Sequence, residues 1–282
     1  IGLLFLLIAL IITAGILGGC TRGSIAVGWS GGTISGNTLF IGTNAGRLAA
    51  INLTDSSILR AEPITAKATG SFLSCASLGC GGGTPTVPIY GSPAVSENSV
   101  YIAGYNGRVY AYRSDNLAQR WIFPADNYLE SFVGAPVIYD NKLFVGGSDG
   151  KVYAIDTANG NKLFEYQTGD RIWGTAAVDA ATNTLFIGSY DKSFYALSTD
   201  DLSLKWSYET EGSIISTPLV NGGIVYFGSF DRNFYALNIT DGSLKWQFRG
   251  NNWFWASPVL VNNVLYAGCL DNFVYALNPE TG

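Results

Sequence analysis

The chain has 282 residues, with 16 Lys and Arg against 21 Asp and Glu, so its formal net charge is −5. The chain therefore lacks the excess of basic residues that is typical of proteins that bind nucleic acid. The chain contains no His, the commonest general base and the commonest zinc ligand, which excludes Ser-His-Asp chemistry and His-rich metal sites. The 35 Gly and 13% aromatic residues favour an all-β protein with many tight turns.

The chain begins with an uncharged apolar stretch, residues 1–19, which is followed by Cys20. The four residues that end at Cys20 read Leu-Gly-Gly-Cys, the lipobox pattern of bacterial lipoproteins. We therefore expect residues 1–19 to be a lipoprotein signal peptide and residues 20–28 to be a tether from the lipidated Cys20. The alternative is an uncleaved anchor helix with an incidental Cys. Both interpretations place the remainder outside the cytoplasm, and because Ile1 is not Met we expect a front segment to be missing.

The remainder of the chain is one repeat that occurs six times with a period near forty residues. A shared alanine marks the repeat, and it falls at Ala50, Ala111, Ala154, Ala196, Ala236 and Ala276. A strand-rich repeat of this length predicts a β-propeller, because one blade cannot bury both faces of its own sheet and stacking around an axis does. We predict six visible blades of four antiparallel strands each.

Each repeat divides into four predicted strands. The first strand is rich in small residues and is predicted at residues 91–95, 134–138, 216–220 and 256–260. Hairpin turns such as Asp149-Gly150 join the second strand to the third, and the Asp that recurs in these turns is expected to accept local backbone hydrogen bonds. The fourth strand carries an aromatic residue that we expect to pack between neighbouring blades, namely Trp121, Phe164, Trp206 or Trp246. The sixth repeat stops before a fourth strand, which favours a missing end over ring closure by residues 23–27.

From about Trp29 to Gly282 the chain resembles the PQQ-like β-propeller repeat family, in the pattern Gly-Ser-x-Asp-Gly-x-Val/Leu-Tyr-Ala. The resemblance implies a propeller domain over residues 29–282 and seven or eight blades in total. Relatives include the propeller lipoprotein of the outer-membrane β-barrel assembly machinery. With the lipobox, this relative implies a non-catalytic scaffold for proteins of the cell envelope, held on a membrane by its lipid.

Quinoprotein alcohol dehydrogenases belong to the same family and imply an enzymatic alternative with pyrroloquinoline quinone (PQQ), Ca²⁺ and a catalytic Asp. The chain lacks the adjacent Cys pair and the long inter-blade loops of those enzymes. Its recurrent Asp residues, one per blade, are turn residues rather than a single site. We therefore expect no enzyme activity, no catalytic residue, no PQQ and no metal. A third interpretation is an extracytoplasmic sensor domain for a ligand.

The candidate binding site is a ring of residues just before the first strands. Aromatic residues hold this position in four repeats and are expected to surround one mouth of the central channel: Trp29, Tyr90, Trp173 and Trp255. Trp253 and Arg171 lie nearby in the sequence. Exposed aromatic residues beside charges are typical of a face that binds proteins or peptides. The alternative is that these Trp side chains plug the channel.

One insertion interrupts the repeats, at about residues 60–88, and it contains Cys75 and Cys80. Outside the cytoplasm, such a pair is expected to form a small disulfide loop. A metal site would need two further ligands, and no His can provide them. Cys269 replaces a small residue of the sister repeats and is expected to be a buried structural thiol.

Overall fold

The computed structural model of the chain describes residues 30–43, 46–64 and 86–282. Within these ranges the regular elements are 23 strands, arranged in six antiparallel sheets. None of the described residues forms a helix long and apolar enough to cross a membrane. The predicted signal peptide, the tether with Cys20, the ring residue Trp29 and the Cys75–Cys80 pair lie outside the described residues.

The sheets follow one another along the chain and are numbered here from one to six. Sheet 1 contains β1 (Gly32–Ser35), β2 (Thr38–Gly42), β3 (Arg47–Asn52) and β4 (Ile58–Pro63). Sheet 2 contains β5 (Ala94–Val95), β6 (Ser99–Gly104), β7 (Arg108–Arg113) and β8 (Gln119–Phe123). Sheet 3 contains β9 (Val137–Tyr139), β10 (Lys142–Gly146), β11 (Lys151–Asp156) and β12 (Lys162–Gln167).

The second half of the chain continues the same order. Sheet 4 contains β13 (Ala177–Asp179), β14 (Thr184–Gly188), β15 (Ser193–Ser198) and β16 (Leu204–Glu209). Sheet 5 contains β17 (Leu219–Asn221), β18 (Ile224–Gly228), β19 (Asn233–Asn238) and β20 (Leu244–Arg249). Sheet 6 has three described strands, β21 (Val259–Val261), β22 (Val264–Gly268) and β23 (Val274–Leu277). Consecutive pairing within each sheet is the blade topology expected from the repeat.

The first strands begin later than predicted, after the small residues and the Pro, because those residues form the approach to the axis instead of a ladder. A Cβ on Gly91 would lie 2.6 Å from Cα of Ala135, so neighbouring segments contact each other through their backbones there. The insertion predicted at about residues 60–88 lies largely outside the described residues, and β4 extends to Pro63 before it.

The recurrent Asp fixes the turn between the second and third strands of a blade. Asp191 Oδ1 accepts the backbone N–H of Ser193 at 2.8 Å, and its Oδ2 accepts the Tyr195 hydroxyl at 2.8 Å. The same pair of contacts recurs at Asp149, Asp231 and Asp271. The predicted turn role of these carboxylates is therefore confirmed, and each one also ties down a Tyr of the third strand.

The cores lie between blades, so each cluster of buried residues is shared by two consecutive sheets. Between sheets 5 and 6, for example, Phe234 packs with Phe254 and Leu265. The fourth-strand Trp residues close these interfaces by donating their indole N–H to a carbonyl of the next sheet: Trp121 to Thr157 at 3.0 Å, Trp206 to Ile239 at 2.9 Å and Trp246 to Pro279 at 2.9 Å. The prediction that the fourth-strand aromatic residue packs between neighbouring blades is confirmed for these three Trp residues, whereas Phe164 at the same position is 37% exposed.

Candidate functional site

The segments that lead into the first strands meet at a cavity of about 270 Å³ on the propeller axis. These lead-in segments are the stretches directly before β5, β9, β13, β17 and β21. Tyr90, Trp173 and Trp255 line the cavity, together with Val133 and Ile215 at the same repeat position. Below them, Ser92, Thr175, Thr217 and Ser257 complete the wall with hydroxyl groups. Trp253 and Arg171 do not line the cavity; each lies two residues before a lining Trp in the same loop.

Around the mouth of this cavity, aromatic rings from three successive sheets form a continuous surface. This aromatic belt consists of Trp173, Tyr190, Phe230, Trp253 and Trp255. The ring centroids of Trp173 and Tyr190 are 4.9 Å apart in an edge-to-face arrangement, and those of Tyr190 and Phe230 are 6.3 Å apart. Phe230 stacks on Trp253 at 4.5 Å and lies 5.6 Å from Trp255. Such ring contacts hold the side chains in place without covering them.

Polar contacts fix the end of the belt nearest sheet 3. The Trp173 indole donates a hydrogen bond of 3.0 Å to the Ser148 hydroxyl. The Arg171 guanidinium lies 5.6 Å from the centre of the Trp173 ring and 5.4 Å from that of Tyr190. Arg171 also forms an exposed ion pair with Asp170 at 3.4 Å. Arg171 therefore places a cation against two rings of the belt, where a partner can contact both.

The other end of the belt is open to solvent. Trp253 is 43% exposed and Trp255 is 49% exposed, whereas Phe254 between them is buried in the core. Large aromatic side chains that keep this much surface in water are typical of binding faces. The structure thus leaves Trp255 accessible at the rim of the axial cavity.

The turns between the second and third strands also contribute to the belt, which the repeat pattern did not predict. Tyr190 and Phe230 each precede a turn Asp, and Tyr105 holds the same position in sheet 2, where it contacts Tyr90 at 5.3 Å. Ser148 stands there in sheet 3. A bulky aromatic residue beside a tight polar turn was the available signal, since the turn itself does not require it.

The side chains of the site do not provide the charged groups that pyrroloquinoline quinone, the cofactor suggested by the family name, would need. None of the residues that line the axial cavity is charged, whereas PQQ carries three carboxylates. Among the described residues, no group of three Cys, Asp or Glu side chains comes together in a way that could hold a metal ion. Cys269 is buried as predicted, its thiol donates to the Asn252 carbonyl at 3.2 Å, and burial raises its pKa.

The six-sheet architecture and its repeat define the class of the protein, a PQQ-like β-propeller. The family described as "Outer membrane protein assembly factor BamB" matches residues 14–121, 82–173 and 165–282. The chain belongs to this family. No curated protein sequence gives a significant match.

Solved structures show the same fold. The crystal structure of BamB from Moraxella catarrhalis aligns over 90% of this chain and 73% of its own, with a TM-score of 0.71 and 16% identity. The crystal structure of the computationally designed Ika8 protein aligns over 89% of this chain and 70% of its own, with a TM-score of 0.71 and 14% identity. At these identities the likeness concerns the fold alone.

Proposed function

We propose that the chain is a non-catalytic scaffold of the bacterial cell envelope that binds partner proteins or peptides through the aromatic belt. The observation that carries this proposal is the belt itself, in which five rings are linked by contacts between neighbours and two Trp side chains are about half exposed. Preformed aromatic surfaces bind partners at low entropic cost, because few rotamers remain to be fixed. Membership of a family named for outer membrane protein assembly supports a partner in that process.

The attachment to a membrane is part of the same proposal. A lipid on Cys20 would hold the propeller at the membrane while residues 20–28 act as the tether. The Leu-Gly-Gly-Cys sequence supports this step. Labelled palmitate should be incorporated into the full protein and lost in Cys20→Ala, and the variant should leave the membrane fraction. Unchanged labelling of Cys20→Ala would contradict lipidation at this residue.

An enzyme that uses PQQ is the weaker alternative, because the axial cavity offers no cation to the cofactor's carboxylates. Three carboxylates placed against uncharged walls would lose hydration free energy, and no positively charged side chain in the cavity would compensate for this loss. We propose that the protein works without PQQ. The purified chain with added PQQ and Ca²⁺ should neither quench PQQ fluorescence nor reduce a dye with alcohols; saturable quenching would overturn this part.

The binding role is tested by truncating the belt. Trp173→Ala and Trp255→Ala should keep the strand signal in circular dichroism and lose the partner that the unaltered protein retains from an envelope extract. Phe164→Ala is the matched control, because Phe164 is 37% exposed on the outer strand β12, away from the belt. The proposal fails if the folded Trp variants retain the same partner as the control.

A further inference from the structure

A cavity of about 470 Å³ lies in the groove between sheets 4 and 5. The end of β16 and the loop after it form one wall, and β19 with β20 forms the other. Both sheets have four strands, so the groove is bounded by a complete blade on each side. It shares no lining residue with the axial cavity and contains no ring of the aromatic belt.

Strand register decides which side chains of sheet 5 face this groove. Tyr235 of β19 faces sheet 4, because its ring centroid lies 5.7 Å from that of Tyr208. In the pairing of β19 with β20, Gln247 lies opposite Tyr235. Arg249 lies opposite Asn233, which is two residues from Tyr235. Residues that lie opposite each other or two apart share a face, so all of these side chains face sheet 4.

The groove contains two opposite charges that do not neutralise each other. The Arg249 guanidinium and the Glu211 carboxylate both belong to exposed residues on its walls. Neither side chain forms an ion pair or a hydrogen bond with any residue that the structure describes. A ligand therefore finds a free cation on one wall and a free anion on the other.

A buried amide adds an unused acceptor to the groove. Asn233 is only 8% exposed, and its Nδ2 donates to the Tyr235 hydroxyl at 3.3 Å. Its Oδ1 accepts no hydrogen bond from the part of the chain that the structure describes. Buried polar atoms usually have a partner, so this oxygen is a place for a donor from outside the chain.

The free cation belongs to sheet 5 and not to the repeat. The three groove positions on the strands are Asn233, Gln247 and Arg249 in sheet 5, Ser193, Ser207 and Glu209 in sheet 4, and Lys151, Glu165 and Gln167 in sheet 3. In sheet 3, Lys151 and Glu165 form an ion pair at 2.7 Å, and Gln167 donates to carbonyls of its own loop. Sheet 4 has no cation at these positions. A feature confined to one of these blades points to a site, unlike the Asp that recurs in every turn.

We propose that this groove binds a free α-amino acid in its zwitterionic form. The carboxylate of the ligand lies on the Arg249 guanidinium, whose planar N–H groups suit both of its oxygens. The ammonium group donates to the Glu211 carboxylate and to Asn233 Oδ1. A simple anion or a simple cation would satisfy one wall and be repelled by the charge on the other.

The walls also select the side chain of the ligand. No aliphatic residue lines the cavity, so an apolar side chain would gain little by entering it. The Tyr208 hydroxyl and the Gln247 amide form no side-chain hydrogen bond with a described residue and remain for a polar group. The ligand is therefore an amino acid with a neutral polar side chain.

The test is isothermal titration calorimetry of the full chain with L-serine, L-threonine, L-asparagine and L-glutamine, each used separately. At least one of them should give saturable heat. Its N-acetyl derivative lacks the ammonium charge and its carboxamide derivative lacks the carboxylate, so each should bind at least tenfold more weakly. Arg249→Gln and Glu211→Gln should weaken binding of the unaltered amino acid by a similar factor.

Glu209→Gln is the matched control, because it removes the same charge as Glu211→Gln from a neighbouring residue. Glu209 borders the cavity too, but it lies opposite Ser193 in the pairing of β15 with β16. Ser193 shares a face with Tyr195, whose ring lies 5.7 Å from Tyr166 of sheet 3. The Glu209 side chain is thereby turned towards sheet 3, and its variant should bind the amino acid normally.

Circular dichroism and thermal melting establish that the variants are folded, and the derivatives test the site without altering the chain. The proposal is overturned if none of the four amino acids gives saturable heat, or if Glu209→Gln loses as much affinity as Glu211→Gln. Equal binding of the N-acetyl derivative would overturn it in favour of an anion site at Arg249. The proposed function is tested with an envelope extract and not with free amino acids, so either proposal can fail without the other.

Discussion

Two kinds of blade interface occur among the described sheets, and they differ at one turn position. In three interfaces the fourth-strand residue is Trp and the next blade's turn carries Gly: Trp121 with Gly160, Trp206 with Gly242, and Trp246 with Gly282. A Cβ on each of these glycines would lie 2.6 to 2.7 Å from the indole. In the other two interfaces the fourth-strand residue is Arg60 or Phe164, and the turn carries Leu117 or Leu202.

The turn keeps the same backbone conformation in both kinds of interface, while the side chains that fill the space beside it differ. All five turn residues have a positive φ, from 53° at Leu117 to 78° at Gly160. This conformation costs a side-chain-bearing residue about 1–2 kcal/mol. Leu117 and Leu202 are nevertheless 3% and 1% exposed, so their burial offsets the strain. The same space between two blades is thus filled either by a fourth-strand Trp against a turn Gly or by a turn Leu where the fourth strand has no Trp.

The greatest loss of stability is expected when Trp on the fourth strand and Leu in the turn are placed in the same interface. Gly242→Leu should destabilise the protein by about 3 kcal/mol or more, because the new side chain overlaps the Trp206 ring and also adopts a positive φ. Urea unfolding measures the loss. Adding Trp206→Phe copies the Phe164–Leu202 interface and should recover about 1 kcal/mol or more. Strictly additive losses in this double-mutant cycle would refute the coupling.

A smaller effect separates burial from backbone strain at Leu202. Leu202→Ala should cost about 3 kcal/mol through the cavity it leaves. Leu202→Gly should cost less than Leu202→Ala, because Gly relieves the positive φ. Leu197 is the matched control: it is fully buried in β15 with an ordinary φ, so there Gly should cost more than Ala. The same order at both positions would contradict the argument.

The weakest effect is expected at alkaline pH, because Tyr residues with a raised pKa lie in both kinds of interface. Burial, and then the hydrogen bond to Asp191, raises the pKa of Tyr195 to about 12. A pKa raised in the folded state gives stability that is present below the unfolded value near 10 and is lost as the pH rises through 12. The melting temperature should therefore fall over this window, and less steeply in Tyr195→Phe. An unchanged slope in this variant would contradict the assignment.

Much of this architecture was predictable because it recurs. The turn Asp and the fourth-strand Trp were identified from spacing alone, and both occupy the expected positions. The starts of the first strands were predicted too early, because small residues are compatible both with a crowded strand and with close contact between backbones. The close approach of Gly91 to Ala135 in the structure shows that these residues make backbone contacts. Only part of the belt was predicted from the sequence. Trp173 and Trp255 recur in phase with the repeat, but Tyr190 and Phe230 come from different loops that lie beside them only in the folded protein.

The turn Asp has a consequence for how such a face can evolve. Asp191 and Asp231 use both carboxylate oxygens to hold their own hairpin and the backbone of the loop before it, at Gly169 and Glu211. The residue just before each Asp makes none of these carboxylate bonds, and it is this residue that supplies a belt ring. The residue that supplies a belt ring is thereby distinct from the residue that fixes the turn, although the two are adjacent in the sequence. The residue before the Asp can therefore be substituted in one blade at a time, which changes the side chains on this face while the hydrogen bonds that hold the hairpin stay in place.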